Sequence, residues 1–305
     1  MQPFPFSLLM VRPVHFGYNA ETAVNNAFQE KDANQALVSE AAVKEFDHFV
    51  AVLRQHDIDV LVVQDSEEPH TPDSIFPNNW VSTHEDGSLV YYPMYAPNRR
   101  LERKDAVINA LNNTYQTSTI TDLSHYEAQD LFLEGTGSII LDRKKRIAYA
   151  CISPRTDKKL FGEFCQLKGY TPISFTALDM QEQPIYHTNV MMCLGDNYAV
   201  ICLDSIKDAT EKAFVSDALK RSNKTIVDIS LEQMNQFAGN MFQVKSRDGL
   251  RYLVMSEQAY KSLTPAQVSI LETFNPILHV PLYTIEKNGG GSARCMMAEI
   301  VLKKK

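Results

Sequence analysis

The segment Asn288-Gly289-Gly290-Gly291-Ser292-Ala293-Arg294-Cys295 runs straight into an apolar strand, Met296-Met297-Ala298-Glu299-Ile300-Val301-Leu302. Three consecutive glycines let a backbone or ligand approach closely and tolerate positive φ. They present Cys295 from a tight loop at the start of a short buried strand. That placement makes Cys295 a candidate nucleophile. The alternative is a small buried hydrophobe at a strand end, the usual lot of a free cysteine. The strand itself is expected to close back on the first strand of the chain, Phe6 to Val11, which Arg12-Pro13 terminates.

Working back from that closure, one order of elements recurs: strand, strand, helix, strand. Helices are expected near Asn34 to His56, Asn98 to Asn112, Pro154 to Lys168, Lys207 to Arg221 and Thr264 to Phe274. Between them the expected strands run from Ile75 to Thr83, Ser88 to Pro93, Thr117 to Leu123, Ser138 to Leu141, Arg146 to Ile152, Ile173 to Leu178, Val190 to Leu194, Tyr198 to Leu203, Lys224 to Ile229, Met241 to Lys245, Leu250 to Ser256 and Ile277 to Leu282, with Asp59 to Val63 completing the first unit. Equivalent points fall at Asn79, Gly137, Asn189, Asn240 and Arg294, a period of roughly 51 to 58 residues. Each is preceded or flanked by a small or polar cluster, and a linear stack of such units would leave open edges. The expectation is a single domain over residues 1–305, an α/β propeller of five pseudo-equivalent blades with the five clusters at its axis. The segment from Phe16 to Asn34 lacks clear periodicity and is the candidate lid.

Composition narrows the function. With 305 residues, 44% hydrophobic and 22% charged, the chain can bury a sizeable core. A net charge of −7 argues against nucleic acid or an anionic membrane as the main partner. The five cysteines, at 151, 165, 193, 202 and 295, form no C-x-x-C pair, and several lie inside apolar runs. That pattern fits buried thiols in a reducing compartment, with no zinc-like Cys/His spacing and hence no expected metal. No apolar run reaches the ~20 residues of a membrane span, and the N-terminus lacks a basic start and a long apolar segment. A cytoplasmic setting is expected.

If the clusters converge, a thiol, an imidazole and carboxylates share one cavity. His187 opens the fourth cluster; Glu134 stands between an apolar run and Gly135-Thr136-Gly137; Asp73 lies in Thr71-Pro72-Asp73-Ser74. Each has a plainer reading, as a satisfied rim histidine, a turn carboxylate or an N-terminal turn residue. Together they suit attack by a thiolate on the central carbon of a guanidino or ureido group, with a covalent thiouronium-type intermediate. Carboxylates match a planar guanidinium, and histidine can protonate a leaving amine and later activate water.

At these residues the chain resembles the guanidine-modifying superfamily of arginine deiminases, dimethylarginine dimethylaminohydrolases and amidinotransferases. It is most similar to the amidinotransferase-related citrulline-utilisation hydrolases, through Phe76-Pro77-Asn78-Asn79-Trp80-Val81-Ser82-Thr83-His84. The resemblance spans nearly the whole chain. It implies the five-bladed propeller, a catalytic Cys295, a general acid/base His187 and a guanidinium-holding Glu134, with Asp73 in the substrate site. It further implies that Arg99 (or its neighbour Arg100) and Arg155 bind the substrate α-carboxylate, and that no cofactor is needed. The expected partner is an arginine- or citrulline-like amino acid, and a homodimer is a candidate assembly. Asn78 and Asn79 stand where relatives carry acids, and an uncharged Asn79 favours a ureido group or a differently held guanidine. The rival readings are an amidinotransferase, which shares the intermediate, and a silent propeller used for binding.

Overall fold

The computed structural model describes residues 6–305, and its strands form five separate three-stranded sheets. Each sheet has the same pattern: a central strand paired antiparallel on one side and parallel on the other. In the first, Ser7–Arg12 is flanked by Ala298–Ile300, antiparallel, and Val60–Gln64, parallel. The second joins Val81–Thr83, Leu89–Tyr91 and Ile120–Asp122. The third joins Ile140–Asp142, Ile147–Cys151 and Thr171–Phe175, and the fourth Met192–Leu194, Tyr198–Ile201 and Thr225–Asp228. Phe242–Lys245, Arg251–Ser256 and Ile277–Val280 complete the fifth. A parallel pair needs a crossover, and in every unit helix supplies it. The expected pseudo-fivefold α/β propeller is therefore the observed architecture.

The crossover helices form where apolar residues recur at helical spacing. In Gln35–Gln55 the residues Val38, Ala42, Phe46, Phe49, Val50 and Leu53 make one buried face. Phe46 and Phe49 are fully buried, each contributing about 1.5–3 kcal/mol by leaving water. Asn34 caps this helix, Asp157 caps Lys158–Lys168, and Thr264 with Gln267 forms a capping box on Pro265–Glu272. No helix among the described residues is long and apolar enough to cross a membrane.

Hydrogen bonds at every junction tie each unit to the next around the axis. Thr136 Oγ1 donates to the Asn78 carbonyl at 3.3 Å, Thr188 Oγ1 to the Ser138 carbonyl at 2.5 Å, and Asn240 Nδ2 to the Asn189 carbonyl at 2.9 Å. The Arg294 amide donates to Asn240 Oδ1 at 3.0 Å, and the Val301 amide to Thr83 Oγ1 at 2.9 Å. The last bond closes the ring between the final strand and the second unit.

Several expected strands are shorter than their apolar runs. Pro77–Asn79 is a 3₁₀ turn, so the strand begins only at Val81. Gly135–Ser138 and Thr188–Met191 are likewise single helical turns before their strands. Cys295 lies in a turn whose amides bond back three residues, ahead of a strand limited to Ala298–Ile300. The single helix expected from Asn98 to Asn112 divides into Pro97–Arg100 and Asp105–Thr114. Arg99 turns inward in the first piece to meet Glu102.

Candidate functional site

The helical turns at the hub point their polar side chains into one small cavity. It is lined by Asp73, Asn79, Arg99, Arg155, His187 and Cys295, together with Thr22, Asn26, Phe76, Tyr186 and the three glycines 289–291. Six segments distant in sequence thus supply the walls. Gly290 sits at φ +62°, and a Cβ there would meet the Asn26 side chain at 2.5 Å. This is the close approach that the triple glycine permits.

Cys295 is buried, and its sulfur is within reach of two amides, Asn240 Nδ2 at 3.2 Å and Asn189 Nδ2 at 3.4 Å. Burial pushes the thiol pKa up, opposed by the Ser292 contact, Asn240 and the adjacent Arg294 charge. His187 donates from Nε2 to Glu134 Oε2 at 2.7 Å. A carboxylate only accepts, so Nε2 carries the hydrogen and Nδ1 keeps a lone pair. Burial pushes the imidazole down to about 4, against the pull of Glu134, so the ring rests neutral. Burial alone would raise Glu134, but Arg155, His187 and Arg99 reverse that and hold it at about 2.

Glu134 is placed differently from the guanidinium holder implied by the resemblance. Its Oε1 accepts from the Tyr95 amide at 2.9 Å, its Oε2 from His187, and it does not line the cavity. It orients the imidazole and neutralises two buried arginines, Arg155 at 3.6 Å and Arg99 at 3.8 Å. The carboxylate that does face the cavity is Asp73. Its Oδ2 accepts from Asn19 Nδ2 at 2.7 Å and Thr22 Oγ1 at 3.2 Å, and its Oδ1 is buried without a partner. Burial raises this carboxyl, with Arg99, Asn19 and Arg155 pulling against it.

The two expected anchors differ in what they have free. Arg99 forks onto Glu102 at 2.8 and 3.0 Å, and also donates to Asn79 Oδ1 at 2.9 Å and the Phe76 carbonyl at 3.3 Å. Most of its donors are committed. Arg100 turns to the surface, bonding the Met94 and Tyr95 carbonyls, and lines no part of the cavity. Arg155 uses Nε and Nη2 on Asn25 and the Thr22 carbonyl, stacks over Tyr186 at 4.8 Å, and its Nη1 makes no hydrogen bond among the described residues. Asn79 spends its oxygen on Arg99, and its Nδ2 is buried without a partner. Asn78 is buried but stands outside the lining.

Sequence reasoning missed Asn189 and Asn240 on the sulfur, Glu102 behind Arg99, and Thr22 and Asn26 above the cavity. The first two did mark equivalent repeat points, the one signal that could have singled them out.

The architecture recurs in solved structures. The substrate-bound N-terminal domain of ArgZ, an arginine dihydrolase from the ornithine–ammonia cycle in cyanobacteria, matches with a TM-score of 0.76 at 19% identity, covering 98% of this chain and 99% of that one. Against full-length ArgZ the TM-score is again 0.76 at 20% identity, and the match covers 98% of this chain but only 41% of ArgZ. A dimethylarginine dimethylaminohydrolase adduct with 4-chloro-2-hydroxymethylpyridine matches with a TM-score of 0.66 at 13% identity, over 97% of this chain and 100% of that one. At these identities the likeness is one of fold. No curated protein matches by sequence. The family model for eukaryotic N,N dimethylarginine dimethylhydrolase, however, matches residues 12–302, and a match over nearly the whole ring means that this chain belongs to that family of hydrolases, within the guanidine-modifying superfamily.

Proposed function

We propose that the protein is a cysteine-dependent hydrolase of an arginine-related amino acid, and that it accepts the ureido as well as the guanidino group. Cys295 is the nucleophile, His187 the acid and base, Glu134 its orienting carboxylate. Asp73, Asn79 and Arg155 hold the substrate, with Arg99 fixed behind Asn79.

The observation that carries the ureido reading is the state of Asn79. Its acceptor is taken by Arg99, so the group left for the cavity is the Nδ2 donor. A guanidinium offers only donors, whereas a ureido oxygen accepts. Asp73 Oδ1, a free acceptor, complements the N–H side of either group.

In the reaction the thiol proton passes to His187, and the sulfur lone pair forms a C–S bond to the central carbon. The C=N π pair moves to nitrogen. His187 returns the proton to the departing amine, ammonia leaves, and a cationic thiouronium remains. His187 Nδ1 then takes a proton from water and hydroxide adds; the C–S bond breaks with its electron pair returning to sulfur as the carbonyl forms, the hydroxyl proton leaves to the released ammonia, and His187 returns its proton to the thiolate. One such cycle converts a guanidino to a ureido group. Hydrolysis of the ureido group in turn yields the amine, ammonia and carbon dioxide. Five unpaired, buried cysteines fit the cytoplasmic setting we propose.

Turnover of arginine, citrulline and methylated arginines, followed as ammonia and ornithine, tests the reading. Ornithine from citrulline is the expected product. Best turnover of arginine with citrulline inert would refute the role given to Asn79. Labelling by a haloacetamidine, read by mass spectrometry against Cys295→Ser, tests the nucleophile separately.

A further inference from the structure

Among the described residues no hydrogen bond joins Cys295 to His187. The groups that do hold the sulfur are two side-chain amides, Asn240 Nδ2 at 3.2 Å and Asn189 Nδ2 at 3.4 Å. An amide nitrogen only donates, so the sulfur accepts from both. A thiol is a weak acceptor; a thiolate is a strong one, and a hydrogen bond to the charged form favours that form.

The Asn240 amide is fixed before the sulfur ionises. Asn240 uses its other N–H on the Asn189 carbonyl at 2.9 Å, and its oxygen accepts from the amides of Arg294 at 3.0 Å and Cys295 at 3.4 Å. Asn189 lies in the single helical turn that follows His187. Its Oδ1 is buried with no partner. A native protein seldom keeps such an orphan without a reason, and here the same side chain turns its donor to the reacting atom. The charges around the sulfur are the Arg294 guanidinium next to it in the chain, and Asp73, Arg99, Arg155 and neutral His187 lining the cavity.

We infer that Asn189 and Asn240 are catalytic residues whose amides form a two-donor cradle for the Cys295 thiolate. The inference rests on Cys295 being the nucleophile proposed above. The cradle holds the sulfur charge after the proton leaves for His187. It releases that charge as the C–S bond forms, and receives it again when the bond breaks and the electron pair returns to sulfur. Two units of the ring meet the third at this atom, so closure itself builds the cradle.

The test is the pH dependence of Cys295 alkylation by iodoacetamide, followed by mass spectrometry in the intact chain. Asn189→Ala removes one donor and breaks no other bond of that side chain. Asn240→Asp keeps the oxygen that accepts from Arg294 and Cys295, but it replaces the donor, which also serves the Asn189 carbonyl, with a carboxylate oxygen. Asn189→Ala is expected to move the alkylation midpoint up by about one pH unit, a roughly tenfold slower reaction below the midpoint, and Asn240→Asp to move it further because a like charge is added. The acid limb of kcat/KM should move with it, while the melting temperature of Asn189→Ala stays near that of the parent. An unmoved midpoint in Asn189→Ala refutes the cradle, whatever Asn240→Asp does to folding. Alkylation spread evenly over all five cysteines in the parent would overturn the nucleophile and the cradle together. Shifted midpoints in a protein that turns over no arginine-related amino acid would leave the cradle standing and remove the substrate reading.

Discussion

A Cβ built on Gly137 would stand 2.4 Å from Asn79 Nδ2, 2.8 Å from His187 Nδ1 and 2.9 Å from His187 Cε1. Those are two groups to which chemistry is assigned, and neither is a loose surface side chain. His187 is pinned through Nε2 to Glu134, so it can yield only by losing that bond. Gly137→Ala is therefore expected to lower kcat/KM by about 10–100-fold through misplacement of the base. The overpacking should cost only about 1–3 kcal/mol of stability. Steady-state kinetics beside thermal melting checks this; unchanged kinetics in a folded variant would show that the imidazole position is not critical. The same residue shows what the sequence could tell. Cys295, His187 and Asp73 stood out because thiol, imidazole and carboxylate carry reactivity, and repeat position then grouped them. Asn189 and Asn240 did not, since an asparagine beside a strand reads as an ordinary turn residue. Glu102 gained meaning only once Arg99 was seen to turn inward.

Among the elements, the helix Tyr283–Gly289 bears most directly on the nucleophile, because it leads into the glycine loop. Glu286 on this helix is buried; its Oε1 accepts from Ser292 Oγ at 2.6 Å, and its Oε2 has no partner. Burial pushes its carboxyl up to about 7, with Ser256 and Ser292 pulling down and Glu45, itself raised by burial, adding to the rise. An unfolded glutamate loses its proton near 4.5, whereas the folded one keeps it to about 7. The stability this group contributes is thus full below about pH 4.5 and is lost as pH rises through about 7. Glu286→Gln, which mimics the neutral acid, should melt with the parent at pH 4 to 5. At pH 8 it should be the more stable by on the order of 2 kcal/mol. Parallel melting curves across that range would mean that Glu286 ionises normally. Elements were legible to different degrees for a related reason. Long crossover helices such as Gln35–Gln55 announce themselves by periodicity. The short hub strands do not, because their first residues spend their backbone bonds on single helical turns such as Thr188–Met191, and an apolar run does not distinguish the two.

At the scale of the molecule, ring closure was readable because five copies of one order of elements imply it even at negligible identity. The covering segment has no repeat partner, so only its lack of periodicity marked Phe16 to Asn34 as the candidate lid, and which of its residues reach the site was not readable. Residues Asn19 to Gln29 lie over the cavity, tied by side chains rather than by a ladder. Asn19 and Thr22 bond Asp73, Asn25 and the Thr22 carbonyl hold Arg155, and Gln29 Nε2 reaches the Gly289 carbonyl at 3.1 Å. Asp73 and Arg155 are the same groups assigned to substrate, so an entering amino acid must compete with the cover for them. The segment is mostly irregular, with one short helical turn, Ala20–Ala23. Segments with few ladder bonds open at low free energy. Amide exchange across Thr22 to Asn26 is therefore expected to run far faster than in the hub strand Tyr198–Ile201, and to slow when a slowly turned-over arginine analogue occupies Cys295→Ser protein. Binding should also raise the melting temperature, by about 2.7 kcal/mol of stability at a hundred times Kd. Exchange as slow as the hub in the free protein would mean that substrate enters by another path. Fast exchange that the analogue leaves unchanged would mean that the segment does not close over what is bound.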